Sequence, residues 1–378
     1  MSKRAGICLA SGIYPPDSGG PAKFTATFSK WVKENSNIPV SVVTLTDGES
    51  KSEIVDGIYI SKTSRNQFFI LRFLKTVIEL VKTSNSGMPI LANGLFLEVF
   101  FASLFSNRKY VVKIPGDIVW ERAVNNSMTK SGVFEFQTQT LNRKYRLFRY
   151  LFTMSLKRSE SVIVASTPME QLCDIWGIEK DKIQKIYNSV SHKQFKPPIT
   201  PEFNWDVLTV CRLIKLKKVD QIIFACSELG LNLCVVGDGP ELESLKQQAS
   251  ALNVDVNFVG NVNSIDLPTY YGNSSIFVLN SEFEAGTPYA LIEARACGVV
   301  AIATEGTGSQ DVIKHMEDGL LIGTMSGMTL KDALTYLVKN KDFMNSARSK
   351  SLLKNFKLFD MEKNYLEILK VIRKFSIG

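Results

Sequence analysis

The 378 residues exceed what one ordinary core needs and suit two domains of average size. With 45% apolar and 22% charged residues, 13 Pro and 24 Gly, the composition excludes extensive disorder, and the longest apolar run, Leu95 to Phe105, is broken by Glu98 and too short for a bilayer core of about 30 Å. The net charge of +8 is uneven: residues 1–198 hold 27 basic against 16 acidic side chains and the remainder 18 against 21, so the first half either meets an anionic partner, such as nucleic acid, acidic lipid or a phosphorylated acceptor, or carries a solvated basic face.

In chain order, no apolar leader follows Lys3 and Arg4, because GICLASGIY runs straight into Pro15 and Pro16, so secretion is not expected. GICLASGI reads as a strand, Phe24 to Glu34 as a helix, PVSVVTL as a strand and the region Phe69 to Lys82 as a helix. PILANG, YVVKIPG and SVIVAS continue the strands, and short apolar strands separated by helices imply parallel βαβ units in a doubly wound sheet. Asp117, on a glycine turn at a strand end, is the best polar candidate of this half, for acceptor binding, sugar binding or a base; turn capping is the alternative, and Glu121 ranks below it. Leu141 to Lys157 interleaves Arg143, Lys144, Arg146 and Arg149 with apolar and aromatic residues, a pattern that suits either anionic lipid or ordinary core. No nucleic-acid module signature accompanies it, so a nucleic-acid partner is not expected.

Tyr187 to Trp205, with His192, Lys196, Pro197, Pro198 and Pro201, reads as a stiff polar link. The expected division is therefore 1–198 for the first domain, 199–355 for the second, and 356–378 as a helical segment packing back on the first. VLTVCRL, LNLCVVGDG, VNFVG, SIFVLNS and GVVAIAT read as strands of the second domain, with helices at Val219–Leu229, Pro240–Leu252, Pro288–Ala296 and Leu330–Lys339. Two open α/β sheets in tandem are expected to face a central cleft with their carboxyl ends, where ligands of such folds bind. The six cysteines, at 8, 173, 211, 226, 234 and 297, show no CxxC or metal spacing, which fits a reduced, cytoplasmic protein.

Arg212 and Lys217 lie between a strand and a helix start, where two cations and unpaired amides suit a diphosphate and stabilise it as a leaving group. Exposure with no ligand is the alternative. GDGPELESLK places Gly237 and Gly239 in a tight turn, but Leu242 stands where a dinucleotide fingerprint needs its third glycine. FVGNV supplies a strand end whose Val262 lies beside a nucleobase in the ligand-bound reading. After SIFVLNS the chain loops into a helix opened by Pro288, so backbone groups of Gly286, Thr287, Pro288 and Tyr289 face the cleft. One turn past Tyr289, Glu293 is placed to accept bonds from both ribose hydroxyls.

Residues 208–313 resemble the carboxyl-terminal domain of family 4 (group 1) glycosyltransferases, retaining enzymes of the GT-B fold. The marks are Arg212 and Lys217 in RLxxxK, VVGDGPE, FVGNV, PYALIEARACG and EGTGSQDVI. SGIYPPDSGGPAKFTATFSKWV resembles the family's opening strand, glycine loop and first helix, which puts amides of Gly19 and Gly20 beside the donor phosphate or sugar. The family's Glu-x7-Glu motif implies a sugar contact for its first glutamate and ribose binding for its second. Here Glu284 and Glu293 are separated by eight residues, absorbed either as a bulge in EAGTPY or by Ala285 taking the expected place. Lys218 replaces a usual glycine, and VVKIPGDIVWERA occupies the region of a family histidine, since His192 and His315 lie elsewhere.

The resemblance implies a hexosyltransferase moving sugar from a nucleoside diphosphate sugar to a carbohydrate or lipid-linked acceptor. Front-face displacement, assisted by the departing phosphate, would retain the anomeric configuration. Polysaccharide or glycolipid assembly at the inner face of the membrane is the family-level setting. No cofactor or metal is expected, in line with the absence of a DxD sequence. Alternatives are a nucleotide-sugar epimerase of the same architecture and a non-catalytic binding subunit.

Overall fold

The computed structural model describes residues 6–17, 19–106, 108–200 and 202–374; Lys3, Arg4, Pro201 and the end of the 356–378 segment lie outside the described residues. The chain divides into two α/β units. The first holds the described residues up to Ala165, Met169–Ile186 and those from Tyr365 on; the second holds Ser166–Pro168 and Tyr187–Asn364. The division thus falls at Ile186/Tyr187 rather than at 198. Its physical reason is two apolar side chains in the polar link: Val190 and Phe195 are buried in the second unit's core with Tyr271 and Phe277. Val190 also exchanges backbone bonds with Phe359 (2.9 Å) and Met361 (3.2 Å).

Among the described residues the first unit contains eight strands: β1 (Ile7–Ser11), β2 (Val40–Thr46), β3 (Lys51–Val55), β4 (Ile58–Ser64), β5 (Ile90–Ala92), β6 (Val111–Lys113), β7 (Ser161–Val164) and β8 (Ile183–Lys185). They lie in the order β3-β4-β2-β1-β5-β6-β7-β8, parallel except for β3. β1 is wholly buried, as its unbroken apolar run requires in a sheet covered on both faces. β3 and β4 form a hairpin absent from the strand reading above; its turn, Asp56–Gly57, has φ of 50° and 73°, the positive pair a two-residue I′ turn needs. On the other side of the chain's length, Tyr365 completes this unit's core. Its ring meets Phe24, Phe28 and Trp31 at 6.0, 5.1 and 5.7 Å, and its hydroxyl bonds Thr27 Oγ1 at 2.6 Å.

The second unit contains β9 (Trp205–Val210), β10 (Leu233–Val236), β11 (Val256–Gly260), β12 (Ser274–Leu279), β13 (Val300–Thr304) and β14 (Leu320–Ile322), all parallel in the order β11-β10-β9-β12-β13-β14. The helix expected from Pro240 begins at Leu242, because the Glu241 amide is taken by the Leu213 carbonyl at 3.1 Å. Both sheets reverse their winding once, between β1 and β5 in the first unit and between β9 and β12 in the second. At such a reversal the loops leaving the two central strands diverge, which opens a crevice at their carboxyl ends.

Candidate functional site

The second unit's reversal point gathers most of the expected donor-site residues. Arg212 and Lys217 stand on the loop after β9; its last turn, Lys215–Lys217, leads to Lys218 and the helix Val219–Leu229. Lys218 adopts φ 46° and ψ 43°, a left-handed conformation that costs a side-chain-bearing residue about 1–2 kcal/mol. That explains on steric grounds why glycine is favoured there in the family it resembles.

The loop after β12 is tied to this one at several points. The Glu282 amide donates to the Leu216 carbonyl at 2.8 Å, and Asn280 Nδ2 donates to Gln221 Oε1 at 2.9 Å. Lys217 Nζ and Glu284 Oε1 form a direct ion pair, with only 20% and 17% of their side chains exposed. Arg212, by contrast, is exposed and makes no ion pair among the described residues. The pair of cations therefore consists of an ammonium held by Glu284 and an exposed guanidinium, both at the point where the sheet opens.

The loop after β10 is stitched to the same strand end. Cys211 N donates to Val236 O at 3.1 Å and Leu213 N to Asp238 O at 2.9 Å. Backbones this close leave no room for side chains: a Cβ on Gly237 would lie 1.9 Å from the Cys211 carbonyl oxygen, and one on Gly239 would lie 2.3 Å from that of Leu213. Gly239 thus lets two loops touch. Val262 follows β11 and packs, half-buried, on the core.

Carbonyl by carbonyl, the segment containing the extra residue between the two glutamates is pinned. Gly308 N donates to Glu284 O at 2.7 Å, Ser166 Oγ donates to Ala285 O, and Asn188 Nδ2 donates to Thr287 O at 2.9 Å. The Asn188 amide also donates to Thr287 Oγ1 at 2.9 Å, and Gly308 lacks a Cβ where Gly286 O approaches. Thr287 is fully buried, and Pro288 caps the helix Tyr289–Ala296.

Glu293 lies inside this short helix and is buried rather than on a solvated face, accepting a bond from the Tyr271 hydroxyl at 3.1 Å. Burial, reinforced by the neighbouring carboxylate, holds the Tyr271 phenol well above its usual range, so it remains a donor. The geometry keeps the two glutamates apart in role: Glu284 neutralises Lys217, and Glu293 is oriented by Tyr271.

In the first unit, Gly19 (φ 137°) precedes the helix Gly20–Asn35 at the carboxyl end of β1. The loop before it is braced by Arg65, whose guanidinium donates to Gly12 O at 2.8 Å and Asp17 Oδ2 at 2.6 Å and also pairs with Asp47. Asn93, after β5, donates to Pro21 O at 3.1 Å and Thr25 Oγ1 at 3.2 Å. Asp117 is buried and caps the helix Ile118–Asn125: Oδ1 accepts from the amides of Val119 (2.9 Å) and Trp120 (3.1 Å), while Oδ2 accepts from Gln137 Nε2 (2.9 Å). Both its oxygens therefore serve the fold. Burial raises its pKa from the usual carboxylate value.

Four residues upstream, at the end of β6, stands Lys113, which the sequence reading passed over. It is 3% exposed, its ammonium lies 4.6 Å from the Phe24 ring centre, and burial lowers its pKa to about 8. The signal was available: a lysine closing an apolar strand. Arg65 carried no comparable signal, because its partners are distant in sequence. His315 accepts the Leu321 amide at 3.0 Å and His192 stacks on Phe356, so each has a place in the fold.

Fold and site together define a two-unit α/β protein of the GT-B type, with exposed Arg212 and the Lys217–Glu284 pair at the second unit's reversal point. The sequence model for Glycosyl transferases group 1 matches residues 191–352, which spans that region. An uncharacterized glycosyltransferase of Haemophilus influenzae is 32% identical over 158 residues, 40% of this chain and 44% of that protein. A GDP-mannose-dependent alpha-(1-6)-phosphatidylinositol monomannoside mannosyltransferase of Mycobacterium tuberculosis is 28% identical over 149 residues, 36% of this chain and 39% of that protein. The chain spans less than half the length of these curated relatives. Among solved structures, sucrose-phosphate synthase from Thermosynechococcus elongatus superposes with a TM-score of 0.78 at 19% identity, covering 98% of this chain and 99% of that one. Anabaena Alr3699/HepE in complex with UDP and glucose does so with 0.78 at 17%, covering 98% and 100%.

Proposed function

We propose that the protein is a retaining hexosyltransferase that uses a nucleoside diphosphate sugar and needs no metal or cofactor. The observation that carries this reading is the charge arrangement at the β9/β12 reversal: exposed Arg212 and Glu284-paired Lys217 at a helix start. A diphosphate entering there meets the guanidinium first and then competes with Glu284 for Lys217. The two cations stabilise the leaving group as its charge develops. Glu284, displaced from its pair, is then placed to accept from the sugar hydroxyls. Tyr271 fixes the Glu293 carboxylate so that ribose hydroxyls meet a pre-oriented acceptor, and Val262 borders the base. The first unit takes the acceptor, carbohydrate or lipid-linked, and its Gly19–Gly20 helix start is of the kind that holds an anionic group. Attack on the face the leaving group vacates, with the phosphate taking the acceptor's proton, retains configuration. Polysaccharide or glycolipid assembly at the inner face of a membrane is the setting of this reading, and the phosphatidylinositol monomannoside in the name of the mycobacterial relative supports its glycolipid part.

Thermal unfolding with UDP-, GDP- and ADP-sugars tests the donor. A ligand at a hundred times its Kd adds about 2.7 kcal/mol, a shift of several degrees. With the donor identified, Arg212→Ala and Lys217→Ala are each expected to lower transfer about 10²–10³-fold. Stabilisation by none of the donors, or transfer indifferent to both substitutions, overturns the reading. Conversion of the sugar nucleotide without any acceptor would instead mark an epimerase.

A further inference from the structure

We propose that the helix Phe69–Asn85 docks the protein on an anionic lipid bilayer. The helix is inverted with respect to what a core helix should show. Its buried positions are Thr76, Val77, Leu80 and Ser84, two of them polar. Its outward stripe is Ile70, Leu71, Leu74 and Ile78, each between 48% and 57% exposed. These residues follow the i, i+4, i+8 spacing of one helix face, so the apolar side chains form a continuous ridge.

The neighbouring helix, Phe96–Ser106, extends the surface. Phe73 meets Phe101 edge-on at 5.5 Å and Ser84 Oγ bonds Ser106 Oγ at 3.2 Å, which sets the carboxyl ends of the two helices side by side. Leu104 and Phe105 there are exposed, Phe105 to 75%. Lys75, Lys82 and Arg108 are exposed around these apolar side chains, and Glu79 is the helix's only acidic residue.

A convex apolar ridge with cationic flanks is what an interfacial helix presents to acidic headgroups. A second copy of the chain is the poorer occupant, because a twofold contact over the ridge would bring each copy's lysines against the other's. Crossing is excluded for this helix, since among the described residues none is long and apolar enough. The basic helix Arg143–Arg158, which the sequence reading singled out for lipid, buries Tyr145, Phe152 and Leu156 and leaves only Leu147 and Tyr150 as large exposed apolar residues. The lipid-facing surface is therefore assigned to the helix of lower charge and greater exposed apolar content.

This inference rests on the membrane setting of the proposed function, not on the transfer chemistry, and its test uses neither donor nor acceptor. The full chain is sedimented with vesicles of phosphatidylcholine alone and with one third phosphatidylglycerol. Binding is expected only to the anionic vesicles and to weaken with salt. The triple variant Ile70→Ser, Leu74→Ser, Ile78→Ser is expected to bind at least tenfold less while melting as the parent does. Lys75→Gln and Lys82→Gln are each expected to reduce binding about fivefold. The pair Leu147→Ser, Tyr150→Ser serves as the control and should bind unchanged. No binding to anionic vesicles, undiminished binding by the triple variant, or a concentration-dependent dimer that this variant abolishes would each overturn the proposal. A donor-induced thermal shift that persists in the triple variant keeps that failure separate from any failure of the transferase reading.

Discussion

The two reversal points share a topology and differ in what positions their loops. After β9, β10 and β12, backbone bonds join loop to loop, and Gly237, Gly239 and Gly308 let those backbones come within contact of each other. After β1, side chains do more of the bracing: Arg65 reaches the Gly12 carbonyl and two aspartates, and Asn93 the Pro21 carbonyl, beside one close backbone approach of Gly94 to Gly12. The consequence is a different use of charge. Where backbone fixes the loops, Arg212 stays exposed and Lys217 pairs with Glu284; where a guanidinium helps to fix them, a further cation, Lys113, is buried at the end of β6. Burying a lysine disfavours its charged form, so its retention points to a purpose other than stability.

The largest expected effect tests the backbone-built side of this contrast. In Gly237→Ala the new methyl would meet the Cys211 carbonyl oxygen at 1.9 Å, at a φ of 133° that alanine rarely adopts. Strain and overpacking together should cost roughly 3–5 kcal/mol in denaturant unfolding. A loss under 1 kcal/mol would mean that the loops are not held by close approach.

The Lys113 side is tested by pH. The folded pKa, about 8, lies below the ordinary lysine value, so below pH 8 both states hold the proton and the burial penalty is fully present. Between pH 8 and the ordinary value only the unfolded chain holds it, and stability rises with pH by up to ~3 kcal/mol. Lys113→Met should therefore unfold later than the parent at pH 7, and the difference between the two should shrink above pH 8. A methionine variant less stable than the parent at pH 7 would make Lys113 a structural residue.

The smallest effect is a gain. Lys218→Gly relieves the left-handed strain at the start of the helix Val219–Leu229 and should add roughly 1 kcal/mol, less whatever the 3.6 Å approach to Glu282 contributes. Thermal melting resolves a shift of this size; a fall in stability would show that the ion pair outweighs the strain.

What could be read in the sequence follows from how local each cause is. Strands such as β1, β9 and β12 announce themselves by their apolar runs, and Arg212 and Lys217 by their place between a strand and a helix start. β3 was missed because an exposed edge strand has no such run, although Asp56–Gly57 was a hairpin signal in plain sight. The helices Phe96–Ser106 and Ile118–Asn125 were likewise not separated from the apolar stretches around them. At the site, the displaced spacing of Glu284 and Glu293 was legible, but what stabilises it was not. Ala285 and Thr287 are held by Ser166 and Asn188, 119 and 99 residues away in sequence, and no local pattern encodes such partners. The burial of Glu293 follows from its neighbours: Leu291, Ile292, Ala294 and Ala296 are all buried and leave the short helix no solvated side.

Tyr365 carries an implication for how the protein is made. Its ring closes the aromatic group of Phe24, Phe28 and Trp31, yet it is translated long after them, when the second unit's strands have already been synthesised. On the ribosome the first unit must wait with an open seam while the second, contiguous from Tyr187 to Asn364 apart from Ser166–Pro168, can consolidate. The earliest segment to emerge is then the last to finish folding.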